Sequence, residues 1–180
     1  MDAKIKNFSQ GGAAELGGLT LDDRLALLRA SVDGRIVFTT SLGLEDQAVA
    51  HSIFTQNLDI DVVTLDTARL FSETYDVWME TEERYGKKIR VVFPESSDVE
   101  QLIEDQGVNG FYDSVANRKT CCNVRKVLPL NRVLEGAALW ITGLRAEQSV
   151  SRSDLTFVES DDGRGLYKAN PLLDWSSEKL

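Results

Sequence analysis

The chain has one histidine, two cysteines and three prolines, and no apolar run approaching the roughly 18 residues of a membrane-spanning helix. Each shortage excludes something. Two cysteines and one histidine do not complete the usual ligand set of a zinc or iron–sulfur site. Positive charge is in deficit: the net charge of −9 disfavours general attraction to nucleic acid or to an anionic membrane. An anionic ligand must therefore be held by a local basic site. The start, Met1-Asp2-Ala3-Lys4-Ile5-Lys6, has no apolar signal-peptide core, so a cytoplasmic protein with reduced thiols is expected. There are no internal repeats or low-complexity tracts.

What is present is ordinary for a single globular domain, with 42% hydrophobic and 27% charged residues. Residues 1–19 are weakly patterned and glycine-rich, and read as a flexible lead-in to a domain at 20–180. Thr20 reads as an N-cap, with Asp22 and Asp23 in the first turn and Leu21, Leu25 and Leu28 at helical spacing. Strands are expected at 35–41, 60–66, 89–93 and 138–143. Helices are expected at about 44–57, 72–85 (closed by Gly86), 96–106 (capped by Ser96 or Ser97) and 121–134, the last kinked at Pro129. Residues 107–120 and 144–153 read as loops, 155–158 and 166–168 as a hairpin, and Ser176-Ser177-Glu178 as the start of a helix. Alternating strands and helices predict an α/β domain with a mostly parallel sheet flanked by helices. Ligands of such sheets sit outside the carboxyl ends of the strands, so the loops 41–46, 66–71 and 143–152 should line one edge.

Several stretches carry chemistry in more than one reading. In Ser41-Leu42-Gly43-Leu44-Glu45-Asp46, a tight turn into a helix could cradle a phosphate or sulfate, or be a plain strand-to-helix turn. It is neither a Walker A loop nor a dinucleotide fingerprint. Asp66 could accept from a ribose or a base amine and Arg69 could meet an anion, or Asp66 could simply cap the next helix. Arg145, Gln148 and Arg152 could grip an oxyanion through guanidinium forks, or belong to a solvated loop. Arg118-Lys119-Thr120-Cys121-Cys122-Asn123-Val124-Arg125-Lys126 places both cysteines in a basic run. Arg125 and Lys126 follow Cys121 and Cys122 by one helical turn, a setting that favours thiolate, though two ordinary helical cysteines fit as well. His51 reads as structural, 80–84 as a solvated helix face, and Trp78, Trp140 and Trp175 as core or wall residues.

The order of motifs is recognisable. Ser41–Asp46, Leu65-Asp66-Thr67-Ala68-Arg69-Leu70, the run from Cys121 to Leu130, Ile141-Thr142-Gly143-Leu144-Arg145-Ala146-Glu147-Gln148-Ser149 and Asn170-Pro171-Leu172-Leu173-Asp174-Trp175-Ser176 together resemble the adenylylsulfate / phosphoadenylylsulfate reductase family, from about residue 20 onward. The resemblance implies a Rossmann-like adenine nucleotide α-hydrolase fold. It implies reduction of adenylylsulfate to sulfite and AMP through an S-sulfonated cysteine that thioredoxin resolves. Within the family the Cys-Cys pair implies the adenylylsulfate type, with Cys121 and Cys122 as half the ligands of a [4Fe-4S] cluster. Lys126 then lies between cluster and substrate, Arg145 and Arg152 contact sulfate or phosphate, and Ser41 and Gly43 form the phosphate loop. Family members continue into a segment carrying a Cys-x-x-Cys and the nucleophilic cysteine, so the expectation is a C-terminally truncated and inactive chain. The rival readings are a 3′-phosphoadenylylsulfate reductase, an ATP pyrophosphatase of the same fold, and a non-catalytic nucleotide-binding remnant. Whether the chain forms a homo-oligomer is left open.

Overall fold

The computed structural model describes residues 2–148 and 155–180. The strands are β1 (Arg35–Thr40), β2 (Asp61–Leu65), β3 (Arg90–Val92), β4 (Ala137–Ile141), β5 (Val158–Asp161) and β6 (Leu166–Ala169), with β-branched and aromatic residues concentrated in β1 and β2. They form a sheet in the order β3-β2-β1-β4-β6-β5. All neighbours pair parallel except β5 with β6. The order reverses between β1 and β4, and a crevice opens there at the carboxyl ends of the strands.

The middle of β1, Ile36-Val37-Phe38, is apolar because it is buried on both faces. Ile36 and Phe38 point into one core, with Leu25, Leu28, Val49 and Ile53 from α2 (Leu21–Ala30) and α3 (Leu44–Thr55). Val37 points into the other, with Val133 and Leu134 of α7 (Leu128–Leu134). Thr20 caps α2 as expected, accepting from Asp23 N at 3.2 Å. Helix α4 (Ser72–Tyr85) ends at Gly86, whose φ of 60° is the left-handed C-cap conformation that glycine adopts without strain. Among the described residues no helix is long and apolar enough to cross a membrane.

Five expectations need correction or refinement. Residues 1–19 are not a lead-in outside the domain. They form α1 (Ala3–Gly11) and a 3₁₀ turn, and bury Ile5 and Leu16 completely. The Asp2 carboxylate ties α1 to the turn before β1, accepting from Lys4, Ile5, Asp33 and Gly34 N–H groups. One fully buried residue per element, with only Phe8 beside Ile5 at helical spacing, is a faint pattern, which is why the packing was not legible. The stretch 107–120 contains α6 (Val115–Cys122), capped by Ser114 Oγ accepting from Asn117 N at 3.0 Å. None of its residues is buried, so it too lacks an apolar stripe. The break expected at Pro129 takes the form of a π-helical segment, Asn123–Val127, between α6 and α7, with Leu128 N–H donating to Asn123 C=O. Proline has no N–H to close an α turn onto residue 125, and its ring crowds that carbonyl; the wider turn accommodates both. Lastly, Glu95 rather than Ser96 or Ser97 is the N-cap of α5 (Ser96–Gln106), and residues 177–179 make a turn rather than a helix.

Arg24 joins both ends of the described chain. Its side chain is fully buried and donates to Leu19 O, Gly17 O and Pro171 O and to both carboxylate oxygens of Asp174, at 2.6 and 2.8 Å. This bidentate bond draws the Asp174 carboxyl below its ordinary pKa.

Candidate functional site

Three of the parallel strands, β1, β2 and β4, carry hydroxyls at their carboxyl ends. Thr39, Thr40 and Ser41 close β1, Thr64 lies near the end of β2, and Thr142 follows β4. With Lys126 from the π segment and Lys168 from β6 they line a cleft of about 510 Å³, whose walls include Leu65, Leu70 and Trp140. Apolar walls with a few convergent polar groups, at the reversal of strand order, are the usual construction of a ligand site in this class of fold. A second groove of about 630 Å³ lies near Asn131, Arg132, Gly163 and Arg164, at the amino ends of β4 and β6. Its arginines are already paired, Arg132 with Glu95 and Arg164 with Asp161.

The turn after β1 is drawn over the cleft by Asp46. Its Oδ2 accepts from Ser41 N at 2.6 Å and from Ser41 Oγ at 2.7 Å. Burial pushes the Asp46 carboxyl above its ordinary pKa; the Ser41 bonds oppose this and the Glu45 charge adds to it. Gly143 is required opposite, because a Cβ there would overlap Asp46 Oδ1. Two non-glycine residues adopt left-handed backbone at this rim, Leu42 (φ 64°) after β1 and Ala68 (φ 57°) after β2. Strain of this kind costs about 1 kcal/mol per residue and collects at functional sites.

The residues singled out from sequence separate into groups. Ser41 and Lys126 line the cleft. Gly43 is the N-cap of α3 and does not line it. Asp66 is buried, with Oδ1 accepting from Ala68 N and Oδ2 from Tyr75 Oη, both at 2.8 Å; Phe71, not Asp66, is the N-cap of α4. Arg69 turns away from the cleft, donating to Val108 O and Asn109 Oδ1 over the Phe111 ring. Arg145 is buried against Glu45 and Glu147, its guanidinium also reaching Trp175 O and Ser177 Oγ. Glu45 lies below its ordinary pKa through its backbone hydrogen bond and, despite burial, through Arg145 and Gln148. Arg152 lies outside the described residues. Cys121 is half-buried and Cys122 exposed, both as free thiols, and neither lines the cleft.

Sequence reasoning gave no role to the strand-end threonines or to Lys168, took Asp46 only as part of the turn after β1, and took Arg125 only as a cation beside Cys121. The hydroxyls had a signal, a threonine at or beside the carboxyl end of β1, β2 and β4. Arg125 had none. Its side chain is buried, donates from Nη1 to Thr67 O at 2.8 Å, and leaves Nε buried without a partner. It lies beside Cys121 in a hollow of about 10 Å³.

Residues 35–180 match the family model described as the phosphoadenosine phosphosulfate reductase domain. The chain is 52% identical over 167 residues to an adenosine 5′-phosphosulfate reductase of Agrobacterium fabrum, covering 93% of this chain and 64% of that protein. It is 39% identical over 181 residues to a protein of the same name from Neisseria meningitidis serogroup B, covering 98% of this chain and 73% of that one. It thus spans just under two thirds of the Agrobacterium relative. The crystal structure of a phosphoadenylyl-sulfate reductase from Candida auris superposes with a TM-score of 0.77 at 21% identity, over 97% of this chain and 81% of that one, and shares the fold.

Proposed function

The chain belongs to the phosphoadenosine phosphosulfate reductase domain family, and from that premise we propose that its cleft binds adenylylsulfate for thioredoxin-dependent reduction to sulfite and AMP. The observation that carries this reading is Lys126. In a chain of net charge −9, it brings a cation into the same cleft as Ser41 and the hydroxyl-lined strand ends. Hydroxyl donors and an ammonium suit the oxyanions of a phosphosulfate, and the apolar wall of Leu65, Leu70 and Trp140 suits an adenine ring. The names of the relatives at 52% and 39% identity support the same substrate.

In the proposed chemistry a cysteine thiolate attacks the sulfate sulfur. The bond from sulfur to the AMP oxygen breaks, and AMP leaves with the electron pair. Lys126 offsets the negative charge developing on the departing phosphate. The two thiols of thioredoxin then supply the electrons that release sulfite, becoming a disulfide. Cys121 and Cys122 lie outside the cleft, so this chain by itself is proposed to bind nucleotide without releasing sulfite. The two cysteines could act as thiolate ligands of a [4Fe-4S] cluster, which would add local electrostatic stabilisation. Among the described residues no group of three or more His, Cys, Asp or Glu side chains is placed to hold a metal ion. The pair does not complete a cluster site alone, and the chemistry above uses none. The cytoplasm, where both thiols stay reduced, is the proposed compartment.

Calorimetric titration of the chain with adenylylsulfate, its 3′-phosphorylated form and ATP tests the reading. Adenylylsulfate should bind tightest. Tighter binding of ATP, or no binding of any of the three, would overturn it.

A further inference from the structure

A buried guanidinium with no carboxylate beside it is a costly thing to keep, and Arg125 is one. Its relative exposure is 6%, its Nε has no partner, and its hydrogen bond to the protein goes to the neutral carbonyl of Thr67. That carbonyl belongs to the same peptide unit as the N–H of Ala68, which donates to Asp66 Oδ1 at 2.8 Å. The Thr67–Ala68 peptide is therefore gripped at both ends, its oxygen by Arg125 and its nitrogen by Asp66. Asp66 is itself anchored by Tyr75 Oη and, through its own N–H, by Val92 O.

The gripped peptide leads into a strained residue. Ala68 has φ of 57° and is exposed, so burial of its own side chain does not hold it in the left-handed region. A flip of the 67–68 peptide would return Ala68 to negative φ and relieve the strain. It would also turn the carbonyl away from Arg125 and change how Thr67, which lines the cleft, is presented. The exposed Ala68 methyl offers little resistance to the flip; the two hydrogen bonds on the peptide oppose it directly.

We propose that Arg125 is a positioning residue of the cleft: by holding the Thr67 carbonyl it keeps the strained turn at Ala68 in the conformation that receives the nucleotide. The inference rests on the cleft being the nucleotide site proposed above. It accounts for a cation retained in a buried place where an apolar side chain would serve stability as well or better. The turn after β2 and the π-helical segment are then one device: Asp66 and Arg125 clamp, Ala68 stores the strain, and Thr67 meets the ligand.

The test uses AMP as probe, on the chain as it is and on Arg125→Met. The variant should melt at the same temperature or higher, bind AMP about tenfold more weakly, and exchange the Ala68 amide hydrogen faster. Adding Ala68→Gly, which removes the drive to flip, should restore most of the affinity. A residue serving only the fold would lower the melting temperature and leave AMP affinity in the folded protein alone. Unchanged affinity in Arg125→Met overturns the proposal, as does a loss that Ala68→Gly does not restore. If Arg125→Met does not fold, Arg125→Lys keeps the cation but gives up the planar reach to the carbonyl. It should show faster Ala68 exchange and weaker AMP binding, and normal values for both overturn the proposal. Failure of the unaltered chain to bind AMP overturns the nucleotide site together with this inference, whereas binding that is indifferent to Arg125 overturns the inference alone.

Discussion

Arg24 and Arg125 are both buried arginines on helical segments, and they have opposite surroundings. Arg24 gives hydrogen bonds from Nε, Nη1 and Nη2 to three carbonyls and a bidentate carboxylate, tying the segment before α2 to the segment after β6. Arg125 gives one to a single carbonyl and keeps Nε unpaired. The first is how a fold uses a buried charge, fully paired and bonded. The second is how a site uses one, giving up stability to hold a strained turn. The acids divide the same way. Asp174, beside Arg24, is held below its ordinary pKa, while Asp46, buried at the cleft with no cation bonded to it, is pushed above it.

The largest expected effect breaks the paired side. Arg24→Met should cost about 3–5 kcal/mol, because Asp174 and three carbonyls lose their donor, and urea unfolding measures it. If the loss is below about 1 kcal/mol, the contrast between the two arginines is wrong. Next, Lys126→Ala should weaken adenylylsulfate binding by about tenfold or more with the urea midpoint unchanged, since an exposed lysine contributes to the ligand rather than to the fold. A shifted midpoint with unchanged binding would move Lys126 to the structural side.

Smaller effects lie in the pH dependence, and the signs differ. Asp174 has its folded pKa below the unfolded value of 3.8, so its contribution to stability is present above that pH and is lost as pH falls through the folded value. Asp174→Asn should flatten the acid limb of the stability curve. Asp46 has its folded pKa above 3.8, so the folded state binds the extra proton, and stability declines as pH rises from 3.8 through the folded value. Asp46→Asn should therefore raise the melting temperature at neutral pH, by about one or two degrees, while keeping an oxygen to accept from Ser41. A fall at neutral pH would show that the carboxylate is needed charged.

The alternating strands and helices, the cap at Thr20 and the turn at Gly86 were legible because each is local. A strand buried on both faces must be a run of apolar residues, and a left-handed helix end selects glycine. The family could be recognised from the order of its motifs. The segment 1–19 and α6 were not legible, since the first offers only the pair Ile5 and Phe8 at helical spacing among many glycines, and the second buries no residue. Within the site, the sequence by itself marked which stretches carry chemistry: the turn after β1, the turn after β2, the Cys-Cys-Asn-Val-Arg-Lys run and the loop after β4. It could not say which side chain of each stretch turns inward. Arg125 and Lys126 are adjacent, yet the π-helical segment buries the first beneath the β2 turn and sends the second into the cleft. Arg69 and Arg145, equally good candidates by residue type, are taken up by the 108–111 segment and by Glu45 and Glu147. The choice depends on which acceptor lies within reach of each guanidinium, and that is a distance between segments far apart in the chain, decided only by the tertiary structure.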